Sequence, residues 1–184
     1  EVRQTFLIDL TLDEAELYAN LKEPLRRNIR GAEKEIVITH DPGCLRLLHD
    51  YQKVTLEDKG RTQHHSFADL ERLFAACMEH DSGALWVARS PEAEVLAIIL
   101  QVWDREKSYY LMGARNPASG NYRALSALLW HAILHAKQRG HKIFDLEGSM
   151  DPGVERFFRN FGGKRELYLV LRKTHSLLWR LLKR

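Results

Sequence analysis

The chain has 184 residues, 45% hydrophobic and 29% charged, enough for one domain with a sizeable core; this composition excludes disorder as its overall state. Its net charge of +3 and pI near 8.9 suit a polyanionic nucleotide ligand but are too weak to imply nucleic acid. No apolar run approaches the roughly 18 residues of a membrane span and no basic-then-apolar leader opens the chain; Cys44 and Cys77 stand in unrelated contexts and read as buried free thiols of a reducing, cytoplasmic compartment.

Glu1 stands where an initiator Met is expected, so the chain reads as a piece of a longer protein or as a processed one. Residues 5–10 (TFLIDL) read as a strand. Thr11 and Asp13, with Glu14 and Glu16 behind them, signal a helix start, and Leu17, Leu21 and Leu25 mark one face; Pro24 predicts a break. A basic segment, RRNIR at 26–30, precedes a second strand at 35–39. Asp41 and Pro42 open another helix carrying Leu45 and Leu48. After a polar connection at 58–65, Ser66 and Asp69 form a capping pattern for a helix bearing Phe67, Leu70, Leu73, Phe74 and Cys77.

From Gly83 the pattern changes. Strands at 84–88, 95–103 and 108–114, separated by short turns, predict an antiparallel meander. A loop at 115–120 leads into a long helix at about 121–139, whose stripe is Leu125, Leu128, Leu129, Ala132, Ile133 and Ala136, and Gly140 stops it. A strand at 142–147, a short helix at 153–161, a strand at 166–171 and a last helix at 176–184 complete the reading. The order after Gly83 is β-β-β-α-β-α-β, and the crossover through the long helix predicts a parallel pair.

This order resembles the GNAT (general N-acetyltransferase) fold over roughly residues 35–172. The expectation is an α/β (α+β) domain: a mixed central sheet with an antiparallel meander, a splayed parallel pair and flanking helices. The stretch FDLEGSM at 144–150, followed by FFRNFGG at 157–163, is similar to the Fem-like branch and related acetyltransferase domains. Phe158 stands where Fem-type enzymes often carry Lys, which turns the reading toward the acetyltransferases. The resemblance implies three regions: 1–33 as a linker strand and helix from an upstream GNAT-like domain, 34–173 as the acyltransferase domain, and 174–184 as a C-terminal amphipathic helix. The last of these, with Leu177, Leu178, Leu181 and Leu182 on one face, could lie on a membrane surface, on a partner, or on its own sheet.

The resemblance also implies the chemistry: direct transfer of an acyl group from acetyl-CoA or another acyl-CoA to an amine on a small molecule or peptide, without a metal. Rival readings are a Fem-type peptidyltransferase using aminoacyl-tRNA in cell-wall synthesis and a GNAT-shaped binding module without catalysis. Arg115, Ser119, Gly120, Asn121 and Tyr122, around the start of the long helix, resemble a degenerate version of the family's pyrophosphate loop, where a helix N-terminus meets an anion; the alternative is a capped loop with Ser119 or Asn121 starting the helix. Asp145 and Glu147 alternate onto one side of their strand and are base candidates, Asp145 having also a structural alternative as an acceptor of backbone N–H bonds. Ser149 either orients the acceptor or caps the next helix with Asp151. Tyr109 and Tyr110 face opposite layers; the resemblance implies that a Tyr near the splayed strands protonates the departing sulfur, and the alternative is core packing with a hydrogen-bonded hydroxyl. His131 and His135 have zinc-helix spacing but lack a third ligand, and are read as a partly exposed face.

Overall fold

The computed structural model describes residues 1–148 and 150–171. The expected last helix at 176–184, with Trp179 and the four leucines, and Ser149 lie outside the described residues.

Strand β1 (Val2–Asp9) opens the chain. The expected early helix is two: α1 (Glu14–Asn20) and α2 (Glu23–Ala32), with Pro24 in the first turn of α2, where its missing N–H costs nothing. Asp13 caps α1 in a reciprocal box with Glu16. Strand β2 (Val37–His40) and a 3₁₀ turn (Pro42–Cys44) lead to α3 (Leu45–Glu57). The Ser66–Asp69 box opens α4 (Phe67–Glu79) as its spacing predicts. The meander is β3 (Gly83–Arg89), β4 (Val95–Trp103) and β5 (Lys107–Arg115). Then follow α5 (Ala124–Gln138), β6 (Ile143–Asp145), α6 (Pro152–Arg159) and β7 (Lys164–Leu169).

The seven strands form one mixed sheet in the order β2-β3-β4-β5-β6-β1-β7. All neighbours are antiparallel except β5 and β6, the parallel pair joined through α5. Residues 1–33, expected as a linker, supply β1 to the interior of the sheet, between β6 and β7, and pack α1 and α2 on its face. One face is covered by α1, α2, α5 and α6 around Leu17, Ile29, Leu128, Ile133, Phe144 and Phe158; the other is covered by α3 and α4 around Leu48, Leu70, Phe74, Ile98 and Leu100. Both faces of β4 are therefore buried, which matches its unbroken apolar run.

On the helix-α5 side of the meander, His131 and His135 are half-buried against Trp86, with ring centroids 4.6 and 4.8 Å away. The buried Gln101 accepts from Trp86 Nε1 (2.7 Å) and donates to Ser108 Oγ (2.8 Å). Burial, aided by the charge of Arg139, holds His135 down to about 4, and burial also lowers His131 and His141. An unfolded chain takes up the His135 proton near pH 6.5, the folded one only near 4, so this contribution is complete above pH 6.5 and is lost as the pH falls toward 4, with His131 and His141 acting in the same direction. Urea unfolding followed by tryptophan fluorescence should show stability dropping by about 1–2 kcal/mol across that window, a figure discounted for the part-exposed rings. His135→Gln should flatten the slope.

Candidate active site

The site is built where β5 loses its partner. Strand β6 pairs with β5 only at Lys107↔Ile143, Ser108↔Phe144 and Tyr109↔Asp145. Beyond Tyr109, β5 runs on for six residues with no strand of the described residues paired to that edge. A bulge opposite Leu100 and Gln101 sets Leu111 out of register with β4. Asn116 N donates to Leu96 O (2.9 Å); by alternation the N–H groups of Ala114 and Met112 also turn toward β4, and those of Gly113 and Arg115 face the open side.

The opening is a cleft of ≈ 820 Å³ floored by β5 from Tyr110 to Arg115 and walled by α3, α6 and the start of α5. The ring of Tyr110 lies over Gly113, where a Cβ would come within 2.1 Å of the Tyr110 hydroxyl; only glycine leaves room for it. Tyr110 stacks edge-on with Phe158, 5.5 Å between centroids, and burial pushes its hydroxyl far above the ordinary range. Among the described residues that hydroxyl has no hydrogen-bond partner. It is therefore a hydrogen-bond donor at neutral pH, facing the cleft.

The two acids part company. Strand β6 ends at Asp145, so the expected alternation does not reach Glu147. Asp145 Oδ1 accepts from Thr5 Oγ1 (2.5 Å) and from Glu147 N (2.8 Å). Its oxygen thus holds the turn and ties it to β1, the structural alternative read from the sequence. Glu147, at φ 59°, leaves the strand and lines the cleft. Its carboxyl is pushed up by burial first and by the charge of Asp145 second, and no described residue donates to it. Tyr109, beside both acids, donates to Asp104 (2.8 Å) and is raised to about 12, mainly by burial.

Of the expected pyrophosphate loop, Arg115, Ser119 and Tyr122 line the cleft, whereas Gly120 and Asn121 line a smaller neighbouring depression with Glu35 and Arg123. Asn121 holds the turn that leads into α5: its Oδ1 accepts from Arg123 N (3.0 Å) and Ala124 N (3.1 Å). Asn116 and Ser119 satisfy the N–H groups of Ala118 and Asn121. The N–H groups of Leu125 and Ser126, in the first turn of α5 and lining the cleft, have no acceptor among the described residues. Arg115 is exposed above them. Gly113, Thr5, Lys59, Arg61 and Asp151 belong to the site or its support and were not singled out as site residues from sequence; only the space Gly113 provides has a local signal, a glycine inside a strand. No group of three metal ligands exists among the described residues.

A parallel pair that diverges beside open amides and a helix N-terminus is the geometry of an acyl-transfer fold. Residues 19–159 match the family described as acetyltransferase (GNAT) domain, and the chain belongs to that family. Among solved structures it is similar to FemX, with 15% identity and a TM-score of 0.77 over 90% of this chain and 59% of that one. This chain therefore spans less than two thirds of the length of FemX. A protein described as an acetyl transferase from Pyrococcus furiosus (19% identity, TM-score 0.58) matches 76% of this chain and 99% of its own. An acetyltransferase with acetyl-CoA from Clostridium acetobutylicum (16%, 0.56) matches 78% and 97%. At these identities the likeness is one of fold. A search of the curated proteins gives no match.

Gly148, next to Glu147, has φ +59°, and a Cβ there would meet Gln4 O at 1.8 Å. Gly148→Ala should cost at least about 2 kcal/mol, because both the left-handed backbone and the approach of β1 must give way. Chemical denaturation checks this; an unchanged midpoint would mean that β1 does not brace the turn.

Proposed function

We propose that this domain is an N-acyltransferase that moves an acyl group, in the simplest case acetyl from acetyl-CoA, directly onto an amine. Membership of the GNAT family supports acyl transfer in general. The finer reading is carried by the unpaired edge of β5 beside Glu147.

The donor's arm lies along that edge. The N–H groups of Gly113 and Arg115 hydrogen-bond it and polarise the thioester carbonyl, stabilising the oxyanion as it forms. The first turn of α5, with the Arg115 guanidinium, takes the pyrophosphate; Ser119 and Tyr122 flank it. The amine nitrogen bonds to the carbonyl carbon and the carbon–sulfur bond breaks. Glu147, its carboxyl raised by burial and by the charge of Asp145, accepts the proton from nitrogen. Tyr110 donates a hydrogen bond to the departing thiolate. Holding amine and thioester in line supplies much of the remaining acceleration. We place the domain in the cytoplasm, where acyl-CoA is available and the free Cys44 and Cys77 stay reduced.

The likeness to FemX favours a second reading, tRNA-dependent transfer of the Fem type. Phe158 weighs against it: the side chain is buried and packs on Tyr110, at the position where those enzymes often carry Lys.

Calorimetry should give saturable binding of acetyl-CoA and none of charged tRNA; the reverse result would establish the second reading. Glu147→Gln should lower kcat/KM roughly 100-fold. The wild type should lose activity as the pH falls through the raised Glu147 pKa, and the variant should lack that limb. A variant with full turnover and the same limb would remove Glu147 from the role of base.

A further inference from the structure

The far wall of the cleft carries a charge arrangement that the acyl transfer itself does not use. Helix α3 ends in a tight turn closed by Lys59 N→Leu56 O (3.0 Å) and Arg61 N→Leu56 O (2.9 Å). That turn fixes where Lys59 and Arg61 leave the backbone. Both reach across the cleft to the N-terminus of α6 and converge on one oxygen: Lys59 Nζ and Arg61 NH1 each lie 3.2 Å from Asp151 Oδ2. All three side chains line the cleft that holds Glu147. Asp58 lines it too, but neither cation pairs with Asp58 among the described residues.

Two cations meet one carboxylate, so the cluster is one positive charge in surplus. The exchange of partners is also asymmetric. The other oxygen of Asp151 accepts from Gly153 N (2.8 Å) and Val154 N (3.2 Å), capping α6. If the cations swing to another anion, Asp151 keeps those bonds and the helix dipole beside it. Lys59 and Arg61 are 43% and 54% exposed, so their pairs with Asp151 are screened and readily broken. A guanidinium and an ammonium side by side match the oxygens of a carboxylate or phosphate.

We propose that Lys59 and Arg61 form the acceptor's anion subsite, so that the substrate is an amine bearing a compact oxyanion, with Asp151 as the internal carboxylate it displaces. This rests on the acyltransferase reading for its amine and on the cluster's geometry for its anion. Binding the anion on the α3–α6 side of the cleft holds the rest of the acceptor in the space that Glu147 lines.

The test separates the two. Inorganic phosphate and acetate are titrated into the protein and followed by NMR at the Arg61 side chain and the Gly153 and Val154 amides. Saturable shifts are expected, and the two ions report whether phosphate or carboxylate is preferred. Lys59→Met with Arg61→Met should weaken binding roughly tenfold or more. Asp151→Asn, which keeps a capping side chain, should strengthen it several-fold by removing the competitor. A purely structural ion pair would not give that gain. Acetyl-CoA turnover is then compared for phosphoethanolamine against ethanolamine, and for γ-aminobutyrate against its methyl ester. Preference for at least one anionic member, through KM more than kcat and lost in the double variant, is expected. Shifts that survive the double variant, unchanged affinity in Asp151→Asn, or equal turnover within both pairs would overturn the anion subsite. Anion binding through Lys59 and Arg61 with no turnover of any amine would keep the subsite and refute the acyl-CoA reading.

Discussion

Everything in the site depends on one divergence: after Tyr109, β6 stays with β1 instead of β5. The force behind it is hydrogen bonding on the far side. Leu146 N donates to Phe6 O at 3.0 Å, so the chain leaving β6 remains laddered to β1 just where it abandons β5. The left-handed residues Glu147 and Gly148 then turn it away. Below the opening, the ring of Phe158 packs beside Tyr110, and Phe157 and Phe161 continue the aromatic cluster behind it. Backbone bonds pull the strands apart on one side and aromatic packing holds them apart on the other. The open-side amides of β5 are thus left without a partner among the described residues by interactions made elsewhere, as the proposed oxyanion site requires.

The same arrangement makes the first ten residues part of the site's support. Thr5 holds Asp145, Phe6 holds Leu146, and the carbonyl of Gln4 crowds Gly148, across some 140 residues of sequence. Lys137 on α5 adds a clamp, donating to Leu10 O (3.0 Å) and Leu12 O (2.5 Å) at the far end of β1. A segment that inserts between β6 and β7 cannot be removed without leaving two interior edges of the sheet unpaired. The N-terminal strand and the turn at 145–148 therefore stand or fall together.

How much of this was legible in the sequence follows from how local each feature is. The helix start at Asp13, the capping pattern at Ser66, the stripe of α5, the unbroken run of β4 and the parallel crossover all depend on neighbours in sequence, and these were readable. The divergence of the parallel pair came from the resemblance of the element order to the GNAT fold rather than from any propensity. The insertion of β1 was not readable, because nothing in TFLIDL names its partners. Nor was the turn bearing Lys59 and Arg61: a polar connection predicts exposure, and only the fold brings it opposite Asp151. Asp145 and Glu147 were seen as a pair, but alternation assumed a strand that backbone geometry ends two residues early.

That early end is what lets two adjacent acids differ. Had β6 continued through Glu147, both carboxylates would have shared one side and one environment, and each would have repelled the other for the same role. Ending the strand at Asp145 gives its oxygen two donors from fixed elements, so it is spent on geometry. Glu147 is carried into the cleft with no donor among the described residues, where burial and the neighbouring charge disfavour its ionised form. A strand end thereby divides labour between two residues of the same chemistry: one carboxylate builds the turn, and the other, displaced by that turn, is left with a raised proton affinity, the direction the proposed base role requires.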